Sequence, residues 1–222
     1  MAFGGGSDEY FEARAGLILL LRQMGVTDSD ILNAFESVPH ERFVPDSHGE
    51  YAYRDRSLPI GCGQSITAPT ILAGMIVALV PLAGAKVLEV GSGSGYSAAL
   101  MGRMARRVFS MERHPELAAA AQARWRAIGS SNIVGISDDG LGGLEMQAPF
   151  DRILVNGSVT DVPEAIGEQL ADGGVAVLAV GPANERQVLL RIERADDILI
   201  EAELGTVRLP PLVRGRARPS TI

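Results

Sequence analysis

The sequence predicts an α/β chain with a doubly wound, mostly parallel sheet, carrying an N-terminal helical extension and a C-terminal antiparallel hairpin. Three observations predict it. From Lys86 onward short apolar runs alternate with helical patterns, the order that builds a parallel sheet from β-α-β units. The run Val87-Leu88-Glu89-Val90 passes through Gly91-Ser92-Gly93-Ser94-Gly95 into a helical pattern at Tyr96, and such a turn opens a crevice at the carboxyl edge of the sheet. Two β runs at 187–194 and 198–204, joined around Arg194 to Asp197, supply an antiparallel edge.

Taken in order, residues 1–7 (MAFGGGS) are Gly-rich and expected to fray. Asp8 to Met24 is helical, with Ser7 as cap and Gly25 as stop. Thr27 is placed to cap a second helix through Ile31, Leu32, Phe35 and Val38, ended by Pro39. Arg42 to Ala68 is a loop-rich stretch of unusual length, the kind that is functional or disordered. Pro69 then opens a helix over 69–80, with Thr67 and Ala68 at an entrance whose free N–H groups could hold an anion. The alternation predicts strands at 86–90, 107–111, 133–136, 151–155 and 175–180, and helices at 96–105, 115–127 and 162–170. The units expected are 1–85 as helices and a substrate or lid segment, 86–213 as the α/β core, and 214–222 as a solvated basic tail. All three belong to one compact domain.

Length and composition narrow the function. A chain of 222 residues with 46% hydrophobic and 21% charged residues suits one such soluble domain. A net charge of −7 argues against a broad nucleic-acid-binding face. One cysteine, Cys62, excludes an internal disulfide, and with His40, His48 and His114 it shows no metal-ligand spacing. Leu17 to Leu21 is too short to span a bilayer, and Asp8, Glu9 and Glu12 stand where a cleavable signal would be basic. No nucleic acid, membrane or metal is therefore expected, and the cytoplasm is the expected compartment.

Several residues could carry chemistry. The spacing G-x-G-x-G leaves Tyr96 where a dinucleotide turn wants its third glycine, which disfavours a pyrophosphate site. Glu112 ends the second strand 23 residues beyond Glu89, where a carboxylate can accept both hydroxyls of a ribose or simply start a helix. Asp138-Asp139-Gly140 ends the third strand and fits either an adenine contact or a plain turn. Gly61-Cys62-Gly63-Gln64-Ser65-Ile66-Thr67-Ala68-Pro69 sets two hydroxyls before a helix and fits either a cap or a site. Cys62 and Trp125 are expected to pack, the indole N–H finding a partner, and His40 to sit in a turn. No G-x-S-x-G elbow, P-loop or H-E-x-x-H is present.

Together these stretches resemble the protein-L-isoaspartate O-methyltransferase family, over residues 20–213. Val38-Pro39-His40-Glu41-Arg42-Phe43-Val44-Pro45 is similar to its V-P-R-E-x-F-V-P segment, and 58–69 to its L-P-I-G-x-G-Q-T-I-S-x-P signature. Val87 to Tyr96 looks like the first motif of S-adenosylmethionine-dependent methyltransferases, and Asp138 to Gly140, Ala148 to Asp151 and Ile166 to Gly174 match further family segments. The resemblance implies a Rossmann-like fold and S-adenosylmethionine as methyl donor, with S-adenosylhomocysteine as product. It assigns the cofactor to Ser65, Ile66, Thr67, Ala68, Glu89, Gly91, Ser92, Gly93, Gly95, Glu112, Arg113, Asp139 and Gly140. It puts the active-site hydroxyl on Thr67 and the substrate edge at Ala68, Pro69 and Asn156. The implied substrates are isoaspartyl-containing peptides and proteins, the implied role protein repair, and a monomer is expected.

Two departures stand out: Thr67 replaces the usual Ser, and Asn156-Gly157-Ser158 replaces T-A-A. The implied reaction is displacement at a sulfonium methyl by a carboxylate with a pKa near ~4, so no general base is required. Positioning carries the rate, with Thr67 donating a hydrogen bond and N–H groups at the 69–80 helix assisting. The alternatives are a carboxyl methyltransferase for a dedicated peptide or small acid, a cofactor-binding homologue without turnover, and an NAD(P) enzyme, which Tyr96 disfavours.

Overall fold

A computed structural model describes residues 9–196 and 198–218. The expected frayed start, the Ser7 cap and Asp8 lie outside the described residues. Helix α1 (Phe11–Gln23) buries Leu17 and Leu21, and α2 (Ser29–Ser37) buries Ile31, Leu32, Ala34 and Phe35. Asp28 rather than Thr27 caps α2. Its carboxylate accepts the Asp30 and Ile31 N–H groups at 2.9 and 3.1 Å, and an ionised acceptor beside a helix start is the stronger choice.

The stretch expected as loop, 42–68, is more ordered than predicted. It holds two 3₁₀ turns, His40–Phe43 and Asp46–Tyr51, and a small antiparallel pair, β1 (Leu58–Gly61) and β2 (Gln64–Ile66). Gly61, Cys62 and Gly63 all take positive φ (97°, 51° and 68°), which folds β2 straight back on β1. Strands of four and three residues are too short for alternation to declare itself. Helix α3 (Pro69–Leu79) follows.

The core sheet runs β5-β4-β3-β6-β7-β8-β9. Its parallel strands are β3 (Lys86–Val90), β4 (Arg107–Glu112), β5 (Ile133–Ser137), β6 (Phe150–Val159) and β7 (Leu170–Val180). The antiparallel hairpin β8 (Gln187–Ala195) and β9 (Ile198–Val207) completes the edge. Helices α4 (Tyr96–Gly102), α5 (Pro115–Ala127) and α6 (Glu164–Glu168) are the crossovers. Helix α4 stops three residues short of the prediction, where Asn132 donates its amide to the Gly102 and Ala105 carbonyls. Only five residues of the predicted 162–170 helix form α6, because the chain enters β7 at Leu170. Two apolar layers pack the sheet, Val87, Val108, Leu154 and Val177 pointing to one and Leu88, Phe109, Ile153 and Ala176 to the other.

Two features of this sheet position the site. After β3 the chain builds β4 and β5 on one side, then returns to add β6 on the other, so a crevice opens beyond the carboxyl ends of β3 and β6. Against β7, β6 carries a bulge: Leu154 pairs with Val177 and Ser158 with Ala179, so β6 spends two more residues than its neighbour. A bulge re-aims the side chains it contains, and Asn156 is at its centre.

Candidate active site

A cleft of about 800 Å³, open solvent at its mouth included, occupies that crevice. This is within the roughly 300–1,000 Å³ of small-molecule sites. Its floor is the turn after β3, its sides are the ends of β4, β5 and β6, and β2 and residues 210–213 close over it.

The β3–β5 side is built mainly from backbone. Met111 O accepts the N–H groups of Gly91 and Ser92 at 2.9 and 3.1 Å. The buried Glu112 carboxylate accepts the Gly93 N–H at 2.8 Å on one oxygen and the His114 N–H at 2.9 Å on the other. It is therefore a fixed acceptor with lone pairs left for a ligand, not an exposed helix-starting residue. Gly91 has φ +90°, and a Cβ there would stand 3.0 Å from the Asn156 carbonyl, so only glycine lets the turn lie this close to β6. Met111, Leu141 and Leu212 add apolar surface near Glu112 and Asp139. A buried carboxylate beside an apolar slot matches the chemistry of a nucleoside.

Of the residues expected to hold the cofactor, Ser65, Ile66, Thr67, Gly91, Ser92, Gly93, Glu112, Arg113, Asp139 and Gly140 line the cleft. Ala68, Glu89 and Gly95 do not line it, and neither does Pro69 from the expected substrate edge. Gly95 serves packing instead. It has φ +87°, a Cβ would sit 2.8 Å from Ala121 and from the Trp125 ring nitrogen, and its carbonyl accepts the indole N–H at 2.8 Å. The α3 entrance is no free anion site either, because Asp55 accepts both the N–H (3.0 Å) and the hydroxyl (2.8 Å) of Thr70.

The opposite side is built from side chains. Thr67 caps nothing: α3 begins at Pro69 with Ala68 as its N-cap and no side-chain cap, and the Thr67 hydroxyl turns to Asn156, donating to its Oδ1 at 2.9 Å. The Asn156 amide donates to the Ser97 hydroxyl at 3.1 Å. Ser97, from α4, donates to one oxygen of Glu89, Ser110 on β4 donates to the other, and Ser92 bonds to Ser110. Glu89 is fully buried, and that burial pushes its carboxyl up to about 7 against the two serine hydrogen bonds.

The sequence did not single out Ser97, Ser110 or residues 210–213. The signal for the serines was polar residues on otherwise apolar faces of α4 and β4. The tail from Arg214 to Arg218 is largely exposed, as expected, yet hydrogen bonds tie it and the preceding residues 210–213 to the core. Pro210 O accepts the Ser158 N–H at 2.8 Å, Gly215 N–H donates to Asp139 at 2.7 Å, and Arg113 donates to Gly215 O at 2.9 Å. With its other oxygen on the Leu141 N–H, Asp139 anchors this strap as well as lining the cleft. His40 sits in the first 3₁₀ turn and is fully buried there, stacked on Tyr96 with ring centroids 4.0 Å apart. Cys62 sits at the β1–β2 turn, and burial raises its thiol above the ordinary range, which disfavours the reactive thiolate.

Among known proteins, the family model described as protein-L-isoaspartate(D-aspartate) O-methyltransferase matches residues 12–217. The protein-L-isoaspartate O-methyltransferase of Maricaulis maris is 48% identical over 202 residues, covering 91% of this chain and 94% of that one. A solved protein-L-isoaspartate O-methyltransferase superposes with a TM-score of 0.80 at 27% identity, covering 89% of this chain and 65% of that one. A Plasmodium falciparum protein, titled a putative enzyme of the same name in complex with S-adenosyl-L-homocysteine, has the same fold. Its TM-score is 0.78 at 24% identity, over 90% of this chain and 98% of that one. With the family's model spanning nearly the whole sequence and a relative at almost half identity, the chain belongs to the protein-L-isoaspartate(D-aspartate) O-methyltransferase family.

Proposed function

We propose that this chain transfers the methyl group of S-adenosylmethionine to the free α-carboxylate of L-isoaspartyl residues in damaged proteins. The single observation that carries the reading is a buried hydroxyl, Thr67, on the same cleft as a glycine turn fixed by Glu112. Family membership supports both the donor and the acceptor. Bound S-adenosylmethionine supplies a methyl carbon made electrophilic by a positively charged sulfur.

The chain's own residues do the rest. Glu112 would accept the ribose hydroxyls, the backbone of Gly91 to Gly93 would hold the amino-acid portion, and Asp139, Gly140 and Leu141, which line the same cleft, would hold the base. Ser65, Ile66 and Thr67 close from above, and Thr67 aims the substrate carboxylate. That carboxylate is ionised at neutral pH, so no residue has to remove a proton. Nucleophile and sulfonium lose charge together as the oxygen–carbon bond forms and the carbon–sulfur bond breaks, so a cleft that excludes water favours the step. Among the described residues no helix is long and apolar enough to cross a membrane. We take the enzyme to be a monomer of the cytoplasm. We take residues 1–85 as its lid and substrate layer, 86–213 as the cofactor core and 214–222 as the tail.

The test is labelled methyl transfer to an isoaspartyl peptide with its aspartyl twin as control. Transfer to the first and not the second is expected, and equal rates on both would overturn the repair reading. A dedicated peptide or small acid is the second reading, favoured by Asn156-Gly157-Ser158. A Cβ at Gly157 would lie 2.6 Å from the Leu212 side chain, so the substrate side is shaped by residues the family pattern lacks.

A further inference from the structure

In the arrangement described above, the Thr67 hydroxyl has one hydrogen and gives it to Asn156. Toward the cleft it then presents only lone pairs, which repel a carboxylate. The direction of that bond is not independent of the rest. Thr67 uses its one donor, and Asn156 and Ser97 each use one donor and one acceptor, in an unbranched line that reaches Glu89. When Glu89 is ionised it can only accept, so Ser97 must donate to it, Asn156 to Ser97 and Thr67 to Asn156. When Glu89 carries a proton it can donate to Ser97. Ser97 then donates to Asn156 Oδ1, the amide turns over and donates to Thr67, and the Thr67 hydrogen is released toward the cleft. The heavy atoms stay where they are, because the oxygen and nitrogen of an amide are nearly the same size.

We propose that Asn156 is a positioning residue for methyl transfer, a reversible relay through which the proton on buried Glu89 decides whether Thr67 donates to the substrate carboxylate or withholds its hydrogen. The proposal rests on Thr67 being the hydroxyl that aims the substrate. One proton is taken up from water at Glu89, and no covalent bond other than that O–H is made.

The surroundings of Glu89 suit the role. Ser97 faces it from α4, Ser110 from β4, and on β6 its partner is the apolar Leu154. Glu112, at the end of β4, is the charged group that acts on it among the described residues, and it favours the protonated form, as does complete burial. A substrate carboxylate arriving in the cleft adds a second negative charge and pushes the same way. The bulge at Asn156 is what turns an amide, rather than the Thr of the usual family pattern, into the gap between Thr67 and Ser97.

The test is the pH dependence of kcat for an isoaspartyl peptide in the wild type, Asn156→Ala, Glu89→Gln and Thr67→Ala. A second readout, the infrared carbonyl band of protonated carboxyl, is followed in ¹³C-glutamate-labelled protein. In the wild type kcat should fall about tenfold per pH unit above the Glu89 midpoint, which is about 7 in the free protein and higher with substrate bound, and the infrared band of the substrate-bound protein should disappear over the same range. In Asn156→Ala the fall should vanish while the band still titrates and cofactor affinity stays within about twofold. Glu89→Gln, whose amide donates as the protonated acid would, should lose both the fall and the band. Should Asn156→Ala misfold, Asn156→Leu, which fills the volume of the amide with neither donor nor acceptor, breaks the line in its place. An alkaline fall that persists without the amide, or a wild type with no titrating buried carboxyl, would overturn the relay. Wild-type turnover in Thr67→Ala would sink the assignment of Thr67 itself, a separate result.

Discussion

The two sides of the cleft are made of different material. On the β3–β5 side the groups come from chain segments that end beside one another in a parallel sheet: Gly91 to Gly93, Met111 to His114 and Asp139 to Leu141. Their hydrogen bonds are largely backbone, and Glu112 locks two of the segments together. On the β6 side, Thr67, Asn156, Ser97 and Glu89 come from four elements and are joined by side chains across separations of 89, 59 and 8 residues. One side is a rigid mould that any nucleoside-binding sheet of this topology can build. The other depends on single side chains, and there reactivity and substrate choice can change without disturbing the fold.

If that division holds, variants on the two sides should separate cleanly. The largest effect is expected for Thr67→Ala, which removes the aiming hydroxyl. Loss of one orienting donor costs roughly 10²–10³ in rate, so kcat should fall by that factor while cofactor affinity by calorimetry stays within about twofold. Glu112→Ala should do the reverse. It removes an ionised acceptor that holds the Gly93 and His114 N–H groups, each bond of that kind contributing about 1.5–3 kcal/mol. Cofactor affinity should weaken about 10- to 100-fold, with kcat at saturating cofactor reduced far less. A Thr67→Ala variant that loses cofactor, or a Glu112→Ala variant that loses only kcat, would erase the distinction.

The same division decides what could be seen in the sequence. Strand β3 and helix α5 have the predicted bounds because local signals set them: an apolar run before glycines in one case, Pro115 at a helix start in the other. Glu112 was legible because topology fixes the distance along the chain between adjacent strand ends. Thr67 was not decidable from spacing, because a hydroxyl before a helix is equally good as a cap. What diverts it is Asn156, whose own orientation depends on a bulge in β6 that no local pattern announces. Ser97 and Ser110 become meaningful only once Glu89 lies between them. The basic tail from Arg214 to Arg218 is largely exposed, as its composition predicts, but its bonds to Asp139 and Arg113 are illegible in the sequence because the completed sheet brings those partners to it.

Two buried titratable groups extend the contrast to stability. His40, beneath Tyr96, is lowered by burial to about 3, the Ala52 backbone offsetting this only in part. From 6.5 down toward 3 the unfolded chain binds a proton that the folded chain refuses, so this contribution is intact above 6.5 and lost as pH falls. Glu89, raised to about 7, acts oppositely: its contribution is complete below 4.5 and lost as pH rises through about 7. Between 4.5 and 6.5 the two slopes, each about 1.4 kcal/mol per pH unit, oppose one another. Relative to the wild type, His40→Phe should therefore gain stability as pH is lowered through this window, and Glu89→Gln should lose it. Urea unfolding at pH 4.5, 5.5 and 6.5 reads both, and parallel curves for the three proteins would show that neither group is held away from its ordinary ionisation.

The smallest effect tests whether the α3 entrance belongs to the site at all. Its first N–H groups were candidates for steering an anion, yet Asp55, 15 residues upstream, already accepts the Thr70 N–H and hydroxyl. An exposed capping carboxylate contributes about 1 kcal/mol, so Asp55→Ala should lower Tm by roughly 2–4 °C for a domain of this size. The methyl-transfer rate should stay within about twofold, because Pro69 lies outside the cleft and Thr67 is held from the other direction by Asn156. The freed N–H and hydroxyl of Thr70 gain water in place of the carboxylate, and the cleft keeps its geometry. A large change in KM for the peptide with Tm unaltered would mean that the Asp55 carboxylate competes with the substrate for this helix start. The β6 side would then have to be redrawn to include it.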